Sequence, residues 1–191
     1  MHARIEIIMG SMYSGKSTEL IRRCSTFESI NKNVLMINHS FDSRCDHNEI
    51  QTHSKTKHKA IKTERLMDLE ILVCPDVIGI DEAQFFGDLY EFVKKYEKEK
   101  TVVIIAGLDG DFLRRPFGEI LKCIPIADNV TKLNSMCKLC GDGTSASFTM
   151  KTTNDDSTNV NVIEIGAEET YSSVCRYHYF NPSNDTRNCD K

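Results

Sequence analysis

Gly10-Ser11-Met12-Tyr13-Ser14-Gly15-Lys16-Ser17 has the residue types and spacing of a phosphate-binding loop. Glycines at both ends let the backbone wrap closely enough for its N–H groups to surround a β-phosphate. Lys16 supplies positive charge to β/γ-oxygens, the Ser17 hydroxyl is suited to Mg²⁺, and the helix expected to start there adds its positive dipole end. ATP or GTP with Mg²⁺ is the ligand this chemistry implies. A second element follows at Val77 to Ile80, an apolar run that ends in Asp81 and Glu82. An acid at such a strand end holds the Mg²⁺ shell from across the site, and a neighbouring carboxylate can serve as base on an incoming nucleophile. By themselves the two acids leave the reaction open, since hydrolytic ATPases and helicases use the same pair. A helicase motor, however, needs two such lobes, and 191 residues have room for one.

A third group lies near the other end of the chain. Cys137 and Cys140 form one pair with two residues between, and Cys175 and His178 form another. Three thiolates and one imidazole suit tetrahedral Zn²⁺, and with every position filled by protein the site would be structural. Disulfides and unrelated thiols are the alternatives, the first disfavoured in the reducing compartment where a nucleotide enzyme belongs. Cys24, Cys45, Cys74 and Cys123 lie in or beside the amino-terminal part and are expected to be reduced, whereas Cys189 has no evident partner.

These groups need elements to hold them. Strands are expected at Ile5 to Met9, Val34 to Asn38, Val77 to Ile80 and Val102 to Leu108, the last buried on both faces. Helices are expected from Ser17 to about Ile30, with Leu20, Ile21, Cys24 and Phe27 on one face, and from Leu89 to Lys98. This alternation predicts an α/β fold with a mostly parallel sheet flanked by helices, its ligand at the carboxyl ends of the strands. Asp42 to Lys62 has neither period and reads as a long polar loop. After about Asn134 glycine, serine, threonine and cysteine dominate, with one further strand expected at Val160 to Ile165. The organisation expected is a nucleotide-binding domain over 1–134, a small zinc-binding domain over 135–180 and a flexible tail over 181–191.

The formal charge of −4 and a pI near 5.9 argue against a surface built for nucleic acid. The run containing Lys55, Lys57, Lys59, Lys62 and Arg65 lacks interleaved aromatic residues and is read as a solvated loop. The longest apolar run, Val102 to Leu108, is too short to span a bilayer, and the start of the chain does not have the pattern of a signal peptide.

Taken together in order, the motifs resemble those of the type II thymidine kinases, the small zinc-containing cytosolic class. The resemblance runs from about Ile5 to Phe180. It rests on Gly10 to Thr18 with Glu19-Leu20, on Ile80-Asp81-Glu82-Ala83-Gln84-Phe85-Phe86, and on Ala106 to Phe112 with Arg114-Arg115-Pro116-Phe117-Gly118. It ends on the two Cys/His pairs, with Gly166-Ala167 and Tyr171 to Val174 before the second. His178 stands where many members carry a fourth Cys, and Ser11 replaces a frequent Pro.

The resemblance implies transfer of the ATP γ-phosphate to the 5′-hydroxyl of thymidine, with Glu82 as general base. It implies that the loop through Thr18, Asp42, Arg44, Asp81 and Gln84 serve the nucleotide and its Mg²⁺. Met12, Phe85, Leu108, Phe112, Phe117 and Thr149 are expected around the nucleoside. A lasso containing Val160, Val162, Ile163, Glu164, Ile165, Gly166 and Tyr171 would read the base through its backbone, its ends anchored by structural zinc. Cytoplasmic location, a homotetramer and feedback inhibition by thymidine triphosphate, without nucleic-acid or membrane partners, are further implications of the family.

Overall fold

The computed structural model describes residues 2–42, 49–51, 57–152 and 170–182. Strands β1 (Arg4–Gly10), β2 (Val34–His39), β3 (Glu49–Gln51), β4 (Lys57–Lys59), β5 (Ile61–Thr63), β6 (Val77–Ile80), β7 (Val102–Gly107) and β8 (Asn129–Leu133) belong to the first part of the chain. Helices α1 (Lys16–Glu28) and α2 (Leu89–Tyr96) lie among them. Six of these strands form one sheet in the order β5-β2-β6-β7-β1-β8, and each pairing in it is parallel. All six carboxyl ends therefore face one edge, where the residues after β1, β2, β6 and β7 emerge together.

The strand runs bury both faces because helices cover both. On β7, Val103 and Ile105 pack with the α2 face, together with Phe92, Val93 and Phe86, whereas Val102, Ile104 and Ala106 pack with Leu20, Ile21 and Cys24 of α1. This period-two division of a continuous apolar strand is what a doubly covered parallel sheet requires. Glu6 of β1, on the α1 face, is held by Arg23 at 2.7 Å, and the same guanidinium reaches Glu19 at 2.8 Å and the Thr131 hydroxyl of β8 at 3.1 Å.

Two expectations need correction. The stretch read as a polar loop contains three short strands: β3 and β4 form an antiparallel hairpin, and β5 pairs with β2 as an edge of the main sheet. Ile50 and Ala60 anchor that stretch by burial in the core cluster on the α1 face. Strand β8 also had no counterpart among the expected strands; it adds to β1 at the opposite edge.

The last part holds β9 (Ser135–Met136), β10 (Ser145–Ala146), β11 (Phe148–Lys151), β12 (Tyr171–Val174) and α3 (Arg176–Phe180). β9 pairs with β10, and β11 pairs with β12, antiparallel in both cases. Cys137, Ala146, Val174 and Cys175 form a small buried cluster of their own. The strand expected at Val160 to Ile165 lies outside the described residues, as do Arg44, Cys45, Cys189 and most of the expected tail. Among the described residues, no helix is long and apolar enough to cross a membrane.

Candidate functional site

The loop between β1 and α1 has the backbone that its glycines permit. Gly15 sits at φ +84 as the residue preceding α1, and its carbonyl accepts the N–H of Glu19 at 2.9 Å. Gly10 leaves β1 so close to β8 that a Cβ would lie 2.1 Å from the Leu133 carbonyl oxygen. Lys16 Nζ folds back to the Ser11 carbonyl at 2.7 Å, and the Ser14 hydroxyl donates to the same oxygen at 2.8 Å. The loop thereby closes on itself with Lys16 over it, which is the geometry a phosphate cradle needs. Ser17 and Thr18 open the first turn of α1.

The last part of the chain grips this loop from the other side. The Ser11 hydroxyl donates to the Ala146 carbonyl at 3.1 Å, the Met12 N–H donates to Thr149 Oγ1 at 3.1 Å, and the Tyr13 hydroxyl reaches the Tyr171 carbonyl at 3.4 Å. Lys138 Nζ lies over the Tyr13 ring, 4.5 Å from its centroid. Thr149 and Tyr171, both expected near the nucleoside, are thus joined to the phosphate loop by direct contacts, the first of them at Met12, expected there too. Thr149 and Tyr171 both belong to the β11–β12 pair, two positions apart in register, where Thr149 faces Ser173 and Lys151 faces Tyr171.

The acids emerge from β6. Asp81 is buried at the strand end, its N–H donating to the Ile37 carbonyl of β2 at 2.9 Å. Glu82 adopts a left-handed backbone, φ +50 and ψ +37, uncommon for a residue with a Cβ and typical of functional turns. Its Oε2 accepts a hydrogen bond from Gln84 Nε2 at 2.7 Å, and Gln84 Oε1 accepts the Leu108 N–H at 3.0 Å. Gln84, expected among the nucleotide contacts, is buried between these two partners. After β2, Asp42 is buried, its Oδ2 accepting from Asn38 Nδ2 at 2.9 Å and its carbonyl from Lys62 at 2.7 Å. Next to it, the His39 ring is packed among Phe41, Phe85 and Phe86. Burial pushes the His39 imidazole below its ordinary value, so the ring is neutral and accepts the Phe41 N–H through Nδ1.

The apolar residues expected around a nucleoside form two linked groups. Phe85 meets Phe117 edge-to-face at 5.6 Å, and Phe112 meets Tyr171 at 6.2 Å. The loop bearing Phe112 and Phe117 is tied by the buried Asp111 carboxylate, which accepts the Leu113 and Arg115 N–H groups and the Arg115 side chain. Arg114, at φ +62, lays its guanidinium 4.3 Å from the Tyr179 centroid and 4.7 Å from that of Phe180, while the Tyr179 hydroxyl donates to the Phe112 carbonyl at 2.9 Å. The Arg114–Tyr179–Phe112 linkage, like the support of Asp42 by Asn38, was not foreseen. Neither follows from spacing, because the partners meet only after folding.

Cys137, Cys140, Cys175 and His178 converge, each offering one ligand atom within 4.8 Å of the others. Cys140 Sγ and Cys175 Sγ are 3.8 Å apart, and His178 Nδ1 is 3.3 to 3.5 Å from the three sulfurs. A tetrahedron with arms of about 2.3 Å has edges of about 3.8 Å. Donor set and spacing therefore fit zinc, and 3.8 Å is far beyond a disulfide bond. Burial raises the Cys137 thiol, but N–H groups of Cys175 and Cys140 with the neighbouring side chains outweigh it and bring it down to about 6. The Cys140 thiol is pushed the other way, up to about 11, by burial and by the neighbouring Cys137 and Cys175, so charge is shared unevenly within the cluster.

The family model described as thymidine kinase matches residues 3–179. The chain is 44% identical over 182 residues to Thymidine kinase a of Arabidopsis thaliana, an alignment covering 92% of this chain and 74% of that protein. It is 44% identical over 183 residues to the Thymidine kinase of Choristoneura biennis entomopoxvirus, covering 92% and 95%. To the Thymidine kinase of Monkeypox virus it is 40% identical over 176 residues, covering 92% and 96%.

Proposed function

This chain belongs to the thymidine kinase family, and from that premise we propose how its residues move the γ-phosphate of ATP to the 5′-hydroxyl of thymidine. The observation that carries the reading is the junction of the phosphate loop with the β11–β12 pair, through Met12 to Thr149 and Tyr13 to Tyr171. A donor site and an acceptor cover fastened to each other in this way suit direct transfer between two bound substrates.

Residues Gly10 to Thr18 take the triphosphate, with backbone N–H groups and Lys16 on its β/γ-oxygens. Ser17 and Asp81 would hold Mg²⁺, for which a buried carboxylate at the sheet edge and a helix-start hydroxyl are suitable donors. When bound, that ion neutralises charge on the phosphates. Glu82 takes the proton of the 5′-hydroxyl as its oxygen attacks the γ-phosphorus, and the bond from that phosphorus to the β–γ bridging oxygen breaks to release ADP. Asp42, held by Asn38, supports the site from the end of β2.

Phe85, Phe117, Phe112, Leu108, Thr149 and Tyr171 enclose the nucleoside and exclude water. The Cys3His cluster would hold structural Zn²⁺ and tie the Cys137–Cys140 turn to Cys175 and His178 as a base for that cover. On this reading 1–134 carries phosphate chemistry and 135–180 selects the nucleoside. Resemblance to the type II class further supports a cytoplasmic homotetramer inhibited by thymidine triphosphate.

A transfer assay with labelled ATP across thymidine, deoxyuridine and deoxycytidine tests the substrate, and Glu82→Gln tests the base. Thymidine is expected to be the best acceptor, and Glu82→Gln to lose nearly all transfer while retaining ATP binding. Parental turnover in that variant would refute the assigned base.

A further inference from the structure

We propose that Gln84 is a positioning residue that sets the Glu82 carboxylate for proton abstraction and fixes it to the wall of the nucleoside pocket. This inference rests on Glu82 being the base. The Gln84 amide leaves little freedom of orientation. Its oxygen accepts the Leu108 N–H at 3.0 Å, so its NH₂ is directed to Glu82 Oε2, 2.7 Å away. A flipped amide would place NH₂ against an N–H donor and oxygen against a carboxylate, and both contacts would become repulsive.

The surroundings are built to hold that side chain. At Gly107, the last residue of β7, a Cβ would stand 2.5 Å from Gln84 Oε1 and 2.4 Å from Ile120 Cδ1. At Gly118, with φ +63, a Cβ would stand 2.1 Å from the Gln84 carbonyl oxygen. Two glycines from different segments thus make the slot in which Gln84 lies, with only 3% of its surface exposed. Glu82 sits on a left-handed turn. The buried amide of Gln84 holds its Oε2 in one orientation on that turn. Because the same amide holds Leu108, the base and the nucleoside wall keep a fixed relation. A misplacement of about 1 Å there is enough to cost up to about a hundredfold in rate.

The test is a double-mutant cycle with Glu82→Gln, read as kcat and KM separately. Gln84→Met removes both hydrogen bonds, and Gln84→Glu keeps an acceptor for Leu108 while setting a second carboxylate oxygen opposite Glu82. Binding of a fluorescent ATP analogue and the melting temperature show which variant proteins are folded. Either substitution is expected to lower kcat by about tenfold or more with the ATP KM changed less than about twofold. In the Glu82→Gln background the same substitution is expected to lower the residual rate by less than about twofold, because the group it acts through is already gone.

Equal losses in both backgrounds, or a raised ATP KM with kcat preserved, would overturn the inference and return Gln84 to a packing or nucleotide-contact role. Parental turnover in Glu82→Gln alone would instead remove the base assignment, a result seen without touching Gln84, and would overturn both readings.

Discussion

Removing the metal from the Cys3His cluster should damage nucleoside binding far more than ATP binding. The perturbation is chelation, or Cys175→Ser, which takes one of the four converging ligands. Without that centre, the β9–β12 and α3 segment retains, among the described residues, only Ala146 and Val174 as fully buried aliphatic side chains, besides the cysteines themselves. So small a core does not hold such a segment in one conformation. Besides the Ser11 hydroxyl on the Ala146 carbonyl, three hydrogen bonds run through residues expected around the nucleoside: Tyr179 to the Phe112 carbonyl at 2.9 Å, Met12 to Thr149 at 3.1 Å and Tyr13 to Tyr171 at 3.4 Å. At about 1 kcal/mol each, their loss totals about 3 kcal/mol, equivalent to about a hundredfold in thymidine KM. ATP should be affected much less. Lys16, Gly15 and the first turn of α1 are held by the Ser11 carbonyl and by the helix itself, while the metal segment meets the loop ahead of them, at Ser11, Met12 and Tyr13. The assay is steady-state kinetics of the metal-loaded and stripped protein, with zinc release counted against cysteine modification. If stripping left thymidine KM within about twofold, or raised ATP KM by the same factor, the proposed division of labour would be wrong.

Other outcomes follow from single contacts. Tyr179→Phe should raise thymidine KM about fivefold, for loss of about 1 kcal/mol, with ATP KM unchanged; an equal effect on both substrates would contradict the link to Phe112. Gly118→Ala should destabilise the fold by about 2–4 kcal/mol in urea denaturation, combining its left-handed backbone with a Cβ 2.1 Å from the Gln84 carbonyl oxygen. Gly87→Ala, where a Cβ meets nothing within 4 Å, is the control expected to change little. For acid stability, hydrogen bonding to Arg22 and then Arg23 brings the Glu19 carboxyl down to about 2 from 4.5. A depressed carboxyl contributes stability above its unfolded value and loses it as pH falls from about 4.5 to about 2. Screening at this partly exposed site limits the contribution to about 1 kcal/mol. Comparing Glu19→Gln with the parent by denaturation at pH 7 and pH 3 should show a gap that narrows in acid, and a gap constant with pH would exclude the linkage.

The contrast between β7 and β8 shows what the sequence could reveal. Val102 to Gly107 is legible because a strand covered on both faces must itself be apolar throughout. Asn129–Leu133 pairs with β1 alone and shows largely exposed or half-exposed side chains, so its strand character comes from the neighbour. The β3–β4–β5 stretch was opaque for a related reason: three-residue strands are too short to display a period, and single residues such as Ile50 and Ala60 carry their burial. The phosphate loop behaves like β7, since its demands fall on consecutive residues. Turning at Gly15, at φ +84, disfavours a side chain locally, whatever the rest of the chain does, and Gly10 is demanded in addition by the Leu133 carbonyl of β8. Gln84 behaves like β8. Its motif position is visible, but its task depends on an N–H 24 residues away and on room left by Gly107 and Gly118. The same holds for Arg114, whose guanidinium meets aromatic rings from Phe148 to Phe180 only after the last segment docks. Groups that touch phosphate are therefore written in short motifs, while groups that aim them are distributed along the chain. A substitution that leaves every phosphate- and nucleoside-facing side chain in place can still disable transfer, and Gly107 and Gly118, where an added Cβ would meet Gln84, are the positions where that should happen first.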